Sequence, residues 1–184
     1  MINNSKELRE WVSEEKKKIF CGIGIKGLIW CYLTNDHWIQ IYKYQKYLRH
    51  ELYHRRKNNS LIHRIKEIYY CRKKNSLGNR LGFYIGCEVF DRGLVIYHHG
   101  NIIVNGTAKV GKNCILHGDN CIGNDGKSCL APVLGDYVEL GVGAKVIGNI
   151  TISNNITIAA GAVVVNDFLD EGITIAGVPA RRIK

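Results

Sequence analysis

The chain has 184 residues, of which 46% are hydrophobic, with 20 Gly and only 2 Pro, enough to bury a real core in one domain with an appendage. Its seven Cys form no CxxC pair and follow no secretory signal, so they read as reduced thiols in a cytoplasm rather than a disulfide frame or a zinc site. The net charge of +10 sits in one segment: residues 43–80 hold 12 Lys and Arg against 2 Asp and Glu, whereas 1–42 hold 6 against 5 and 81–184 hold 8 against 9.

Residues 1–19 alternate in charge and predict a short exposed helix behind a cap at Asn4 or Ser5. The next stretch, IFCGIGIKGLIWCYL (19–33), is apolar but short. It is interrupted by Gly22, Gly24 and Gly27 and carries Lys26, so it reads as a core helix or an interfacial segment rather than a membrane span. From His37 to Tyr53 the apolar positions Ile41, Tyr44, Leu48 and Leu52 keep near-helical spacing; KNNS at 57–60 breaks it, and a second helix runs from Leu61 to about Lys74. The basic segment reads as a solvated helix face, with contact to an anionic membrane surface as its alternative. Nucleic-acid binding is not expected, because no zinc knuckle, helix-turn-helix or RNP run is present. SLGNR at 76–80 reads as a linker, dividing a helical, basic region (1–80) from a second domain (81–184).

In that second domain an aliphatic residue returns every sixth position: Val104, Val110, Leu116 and Ile122, then Leu134, Leu140, Val146, Ile152, Ile158 and Val164. A period of six fits neither a helix nor an amphipathic strand, and predicts short strands joined by tight corners in a stacked parallel β-helix. Three hexads make one triangular coil. Residues 81–97 have irregular first-coil character, with strands near Phe83–Ile85 and Leu94–Tyr97. Between Gly123 and Val133 the run GNDGKSCLAPV interrupts the repeat, which resumes in phase at Leu134, so this is a loop thrown out from a corner; such loops tend to line sites.

The runs LGVGAKVIGNI (140–150), IAAGAVVV (158–165) and IAGVPARRIK (175–184) resemble the hexapeptide-repeat acyltransferases. Within them the likeness is to the serine acetyltransferase branch with its capsular and lipopolysaccharide O-acetyltransferase relatives. It covers residues 83–184 well, and YQKYLRHELYHRR (44–56) is loosely similar to their helical N-terminal part. The resemblance implies a mainly β fold, a left-handed parallel β-helix behind an α-helical segment. It also implies a homotrimer, or a dimer of trimers, with acetyl-CoA as co-substrate bound between subunits and no metal.

Acetyl transfer to a hydroxyl needs a base, donors for the developing oxyanion, and a groove for the pantetheine arm. Matching LVIYHHGNIIVNGTAKVG (94–111) to the family's motif puts the catalytic base at His98, with His99 beside it as the other candidate. Asp91 is the preferred carboxylate to orient it; Glu88 and Asp119 are further candidates. The family's donor groove matches Gly143, Ala144, Ala160, Gly161 and Ala162, with Lys145, Arg181 and Arg182 as cations for the nucleotide phosphates. Catalytic use of Cys114, Cys121 or Cys129 is not expected.

The departures bear on the acceptor. Where serine acetyltransferases carry a carboxylate fifteen residues before the base, this chain has Phe83 beside Tyr84, and their second His falls near Ala131. No counterpart is expected for the long tail that carries cysteine feedback inhibition in those enzymes. The expectation is therefore an O-acetyltransferase acting on a sugar hydroxyl in surface-glycan synthesis, in the cytoplasm or at the inner membrane face. The alternatives are serine O-acetylation, a gamma-type carbonic anhydrase using His98, His99 and His117, and a non-catalytic scaffold.

Overall fold

The helical spacing at Ile41, Tyr44, Leu48 and Leu52 is what a buried stripe requires, and all four side chains are buried on one helix. The computed structural model describes residues 2–184 and divides the chain into two units, meeting between Leu81 and Gly82. The first holds four helices: α1 (Ser5–Ile19), α2 (Ile25–Leu33), α3 (His37–Arg56) and α4 (Leu61–Leu81). Asn4 caps α1, its Oδ1 accepting from the Lys6 and Glu7 N–H groups, each at 2.9 Å.

The first helix is not simply exposed, as its charges suggest. Leu8, Trp11, Glu15 and Ile19 recur at helical spacing and are buried. Arg49 of α3, 0% exposed, donates from Nε (3.0 Å) and Nη2 (2.6 Å) to the buried Glu15 carboxylate and lies 5.1 Å from the Trp11 ring. A charge this deep is tolerated because it is paired and hydrogen-bonded. Ile19, Phe20 and Ile39 form a small cluster against which Leu28 and Cys31 of α2 pack, but no residue of α2 is buried, so the core-helix reading of 19–33 does not hold.

SLGNR is not a linker either. The last helix runs through it to Leu81, because Leu77, Gly78 and Leu81 are buried there and no proline stops the turn. Burial of that face offsets the roughly 1 kcal/mol helical penalty of one glycine. The helix is tied to α3 by Lys74 on Glu51 (2.9 Å) and by Arg55 on Glu67 (2.9 Å). Apart from Arg49 and Lys74, the cations of 43–80 are exposed or half-buried.

The second unit, Gly82–Lys184, is a parallel β-helix of short strands, β1 to β14 in chain order. One face stacks β1 (Phe83–Tyr84), β3 (Ile102–Val104), β6 (Cys121–Gly123), β9 (Lys145–Ile147) and β12 (Val163–Val164). The second stacks β4 (Lys109–Val110), β7 (Val133–Leu134) and β10 (Thr151–Ile152). The third stacks β2 (Val95–Ile96), β5 (Ile115–Leu116), β8 (Glu139–Leu140), β11 (Thr157–Ile158) and β13 (Thr174–Gly177). It is closed by β14 (Ala180–Arg182), which pairs antiparallel with β13.

The hexad residues pair down each face and are buried, forming the dry core. Register advances eighteen residues from Val104 to Ile122 and from Val146 to Val164, but twenty-four from Ile122 to Val146. The loop between β6 and β7 thus inserts one extra hexad, which is why phase resumes. Small residues at the corners are a steric requirement: a Cβ on Gly141 would fall 2.6 Å from the Ala160 nitrogen of the next coil.

Candidate active site

Strand β2 ends at Ile96, whose side chain is buried, and the chain turns from the third face to the first through Tyr97, His98, His99, Gly100 and Asn101. His98 and His99 are exposed there. The corner is tight above and open beside His98. A Cβ on Gly82 would come 3.0 Å from the Gly100 carbonyl, whereas Gly118 (φ 124°) sits beneath His98, its hydrogen in place of a Cβ that would touch the His98 Cβ at 3.5 Å. Asn120, buried, braces the turn: its Oδ1 accepts from Gly118 N–H (2.9 Å), and its Nδ2 donates to the carbonyls of Gly141 (2.8 Å) and Ala144 (3.3 Å).

One coil below, His117 follows Leu116 as Tyr97 follows Ile96, and the two rings lie 4.9 Å apart. The His117 Nε2 is 2.7 Å from Glu139 Oε1, both side chains half-buried. Tyr97, His117 and Glu139 thus form an outward polar column on the third face, directly below the corner that carries His98. Sequence reasoning singled out His117 only as a metal ligand and passed over Glu139. Among the described residues no group of three His, Cys, Asp or Glu is gathered to hold a metal ion.

The structure places Asp91 and His98 at opposite ends of β2. Phe90 bridges Val110 on the second face, so Asp91 turns the corner that precedes β2, while His98 turns the corner that follows it. Its Oδ1 accepts from Arg92 N–H at 2.7 Å. Glu88 lies earlier still. Asp119 does stand at the His98 corner, one coil down, its Oδ2 3.8 Å from where a Gly143 Cβ would be. Cys114 is buried, and burial with the nearby Glu139 charge pushes its thiol far above the usual range; burial also raises Cys121. Neither suits a thiolate nucleophile.

The expected donor positions divide. Gly143, Ala160 and Gly161 lie on the His98 corner and leave it unobstructed, stacked through Gly143 N–H to the Gly118 carbonyl (3.0 Å) and Gly161 N–H to the Val142 carbonyl (2.8 Å). Ala144 and Ala162 are 0% exposed: alternation turns their methyls into the core, so they offer a groove backbone only. The Lys145 Nζ donates to the Gly143 carbonyl (3.2 Å), and Arg181 and Arg182 are exposed on β14, where Arg182 meets Asp170 at 3.1 Å. An exposed backbone track with cations beside it fits a pantetheine arm ending in phosphates. The 124–132 loop leaves from the corner between the first and second faces instead. Asp125 there accepts from Lys127 N–H and Ser128 N–H, which hold its carboxyl below the usual range.

No family model matches the chain. Among curated proteins it is similar to the serine acetyltransferase of Synechococcus elongatus, 37% identical over 94 residues (50% of this chain, 38% of that one). It is also similar to that of Staphylococcus xylosus, 33% over 109 residues (55% and 50%), and to that of Helicobacter pylori, 33% over 108 residues (55% and 63%). The chain spans about half the length of these relatives. Among solved structures, soybean serine acetyltransferase superimposes with a TM-score of 0.72 at 21% identity, covering 97% of this chain and 70% of that one. A Brucella abortus serine acetyltransferase in complex with coenzyme A gives 0.72 at 21%, covering 97% and 68%. The architecture is a left-handed parallel β-helix with N-terminal α-helices.

Proposed function

We propose that this protein is an acetyl-CoA-dependent O-acetyltransferase with His98 as general base. The observation that carries the reading is the corner itself: an exposed His98 above a stack of glycine and alanine backbone that a thioester donor can lie against. In the proposed reaction an acceptor hydroxyl attacks the acetyl carbonyl as its proton passes to the His98 imidazole. The C–S bond breaks, the ester C–O bond forms, and the imidazole returns the proton to the departing thiolate. The Gly143, Ala160 and Gly161 backbone would seat the pantetheine arm, and Lys145 and Arg181 would meet phosphates. By the same resemblance the active form is a homotrimer in the cytoplasm, with donor grooves between subunits.

The relatives' names support L-serine as acceptor over the sugar hydroxyl expected from sequence. A sugar acceptor keeps one specific observation in its favour. Phe83 (5% exposed) and Ala131 (6% exposed) stand where the resemblance calls for a carboxylate and a second His, and both turn inward. The test is a His98→Ala variant, expected to lose roughly a hundred- to ten-thousand-fold in kcat while coenzyme A binding changes less than a few fold.

A further inference from the structure

Helix α2 is the most apolar exposed element among the described residues, and nothing in the acetyl-transfer chemistry uses it. Leu28 and Cys31 anchor it on the Ile19, Phe20 and Ile39 cluster. At 100° per residue, Ile25, Ile29 and Leu33 then form a single stripe turned away from those anchors, 80%, 54% and 77% exposed, with Lys26 and Trp30 following on the side beyond Leu33. Tyr32 is exposed as well. The one charge on α2 is Lys26; Lys16, Lys17 and Lys18 precede the helix, with Lys18 paired to Glu14 at 3.0 Å, and Asp36 follows it. No helix of the described residues is long and apolar enough to cross a membrane, and α2, at nine residues, is far too short. Gly22 (φ 80°) and Gly24 separate it from α1.

We propose that α2 lies in the plane of an anionic membrane surface, with Ile25, Ile29, Trp30 and Leu33 entering the headgroup region while Lys26 meets lipid phosphates. A short helix with an apolar stripe, an interfacial aromatic and a lysine flank is built for that position. A protein partner matching it would have to be both apolar and acidic, whereas an anionic bilayer supplies apolar depth and surface charge together. The inference stands apart from the acetyl-transfer reading, since its test reads binding and not turnover.

The full chain would be sedimented with vesicles of phosphatidylcholine alone and of phosphatidylcholine mixed equally with phosphatidylglycerol. Co-sedimentation with the anionic vesicles and weak binding to the neutral ones is expected. An Ile29→Ser, Leu33→Ser variant, which removes no buried contact, should weaken binding at least tenfold, and Lys26→Ala roughly fivefold, on anionic vesicles only. Trp30 emission should shift blue with the vesicles and lose that shift in Trp30→Phe, where Trp11 and Trp38 remain. Absence of binding to either vesicle overturns the proposal. So does an Ile29→Ser, Leu33→Ser variant that binds vesicles as wild type does but shrinks the oligomer in analytical ultracentrifugation, which would assign the stripe to a second copy of the chain.

Discussion

His117 and Glu139 stand one and two coils below the strand that leads to His98, outside the motif that points to it. Their 2.7 Å contact leaves an imidazole edge and a carboxylate facing outward beneath Tyr97, an arrangement suited to holding hydroxyls of an acceptor. Glu139→Gln and His117→Gln are each expected to raise the acceptor KM about tenfold, the scale of one hydrogen bond to a charged group, with the acetyl-CoA KM unchanged. Steady-state kinetics with both substrates varied would check this; equal effects on both KM values would make the pair merely structural. His98 can be proposed from sequence because its motif is contiguous in the chain. The His117–Glu139 pair cannot, because counting hexads sets Leu116 over Leu134; only the extra hexad in the loop brings Leu140, and Glu139 with it, beneath Leu116. Asp91 stands at another corner than His98 for a related reason: seven residues along a β-helix span a whole side of the triangle, so nearness in sequence meant separation along the coil.

At the level of elements, the corners and helix contacts set stability. Gly141→Ala forces the Ala160 backbone to move and is expected to lower stability by about 2 kcal/mol, read as a reduced Tm. Helices α3 and α4 meet through imidazoles: His54 Nδ1 and His63 Nδ1 lie 2.8 Å apart, and His50 stacks on Tyr70 at 4.5 Å. Burial, then the Lys46 and His54 charges, lower His50 to about 4; burial, then His63 and Lys66, lower His54 against the opposing pull of Glu67. Both groups bind protons more readily unfolded than folded. Their contribution is therefore complete above the unfolded value near 6.5 and is lost as pH falls from there toward 4. Thermal melts should show Tm falling across that window, and His50→Phe should flatten the fall. The sequence made α3 plain through its stripe. It hid the end of α4, because SLGNR has linker composition and its helicity comes from burying Leu77 and Leu81.

Across the whole molecule the division of labour follows the charge. The β-helix unit is near neutrality, whereas the helices carry the cations and the exposed apolar stripe of α2. The fold was readable from the sequence because a six-residue period has few structural solutions, and the ten aliphatic residues that the period marks are all buried. The acceptor was less readable, since Phe83 and Ala131 say which groups are missing without saying what replaces them. The claim on which the rest depends is acetyl transfer at the His98 corner. It is tested most directly by thiol release from acetyl-CoA, assayed for the wild type and for His98→Ala with L-serine and with a panel of sugars, nucleotide sugars and glycan oligosaccharides. Acceptor-dependent release that His98→Ala abolishes is the expected result, with serine or a glycan naming the acceptor. Release with no acceptor on the panel, or a His98→Ala variant as active as the wild type, would contradict it.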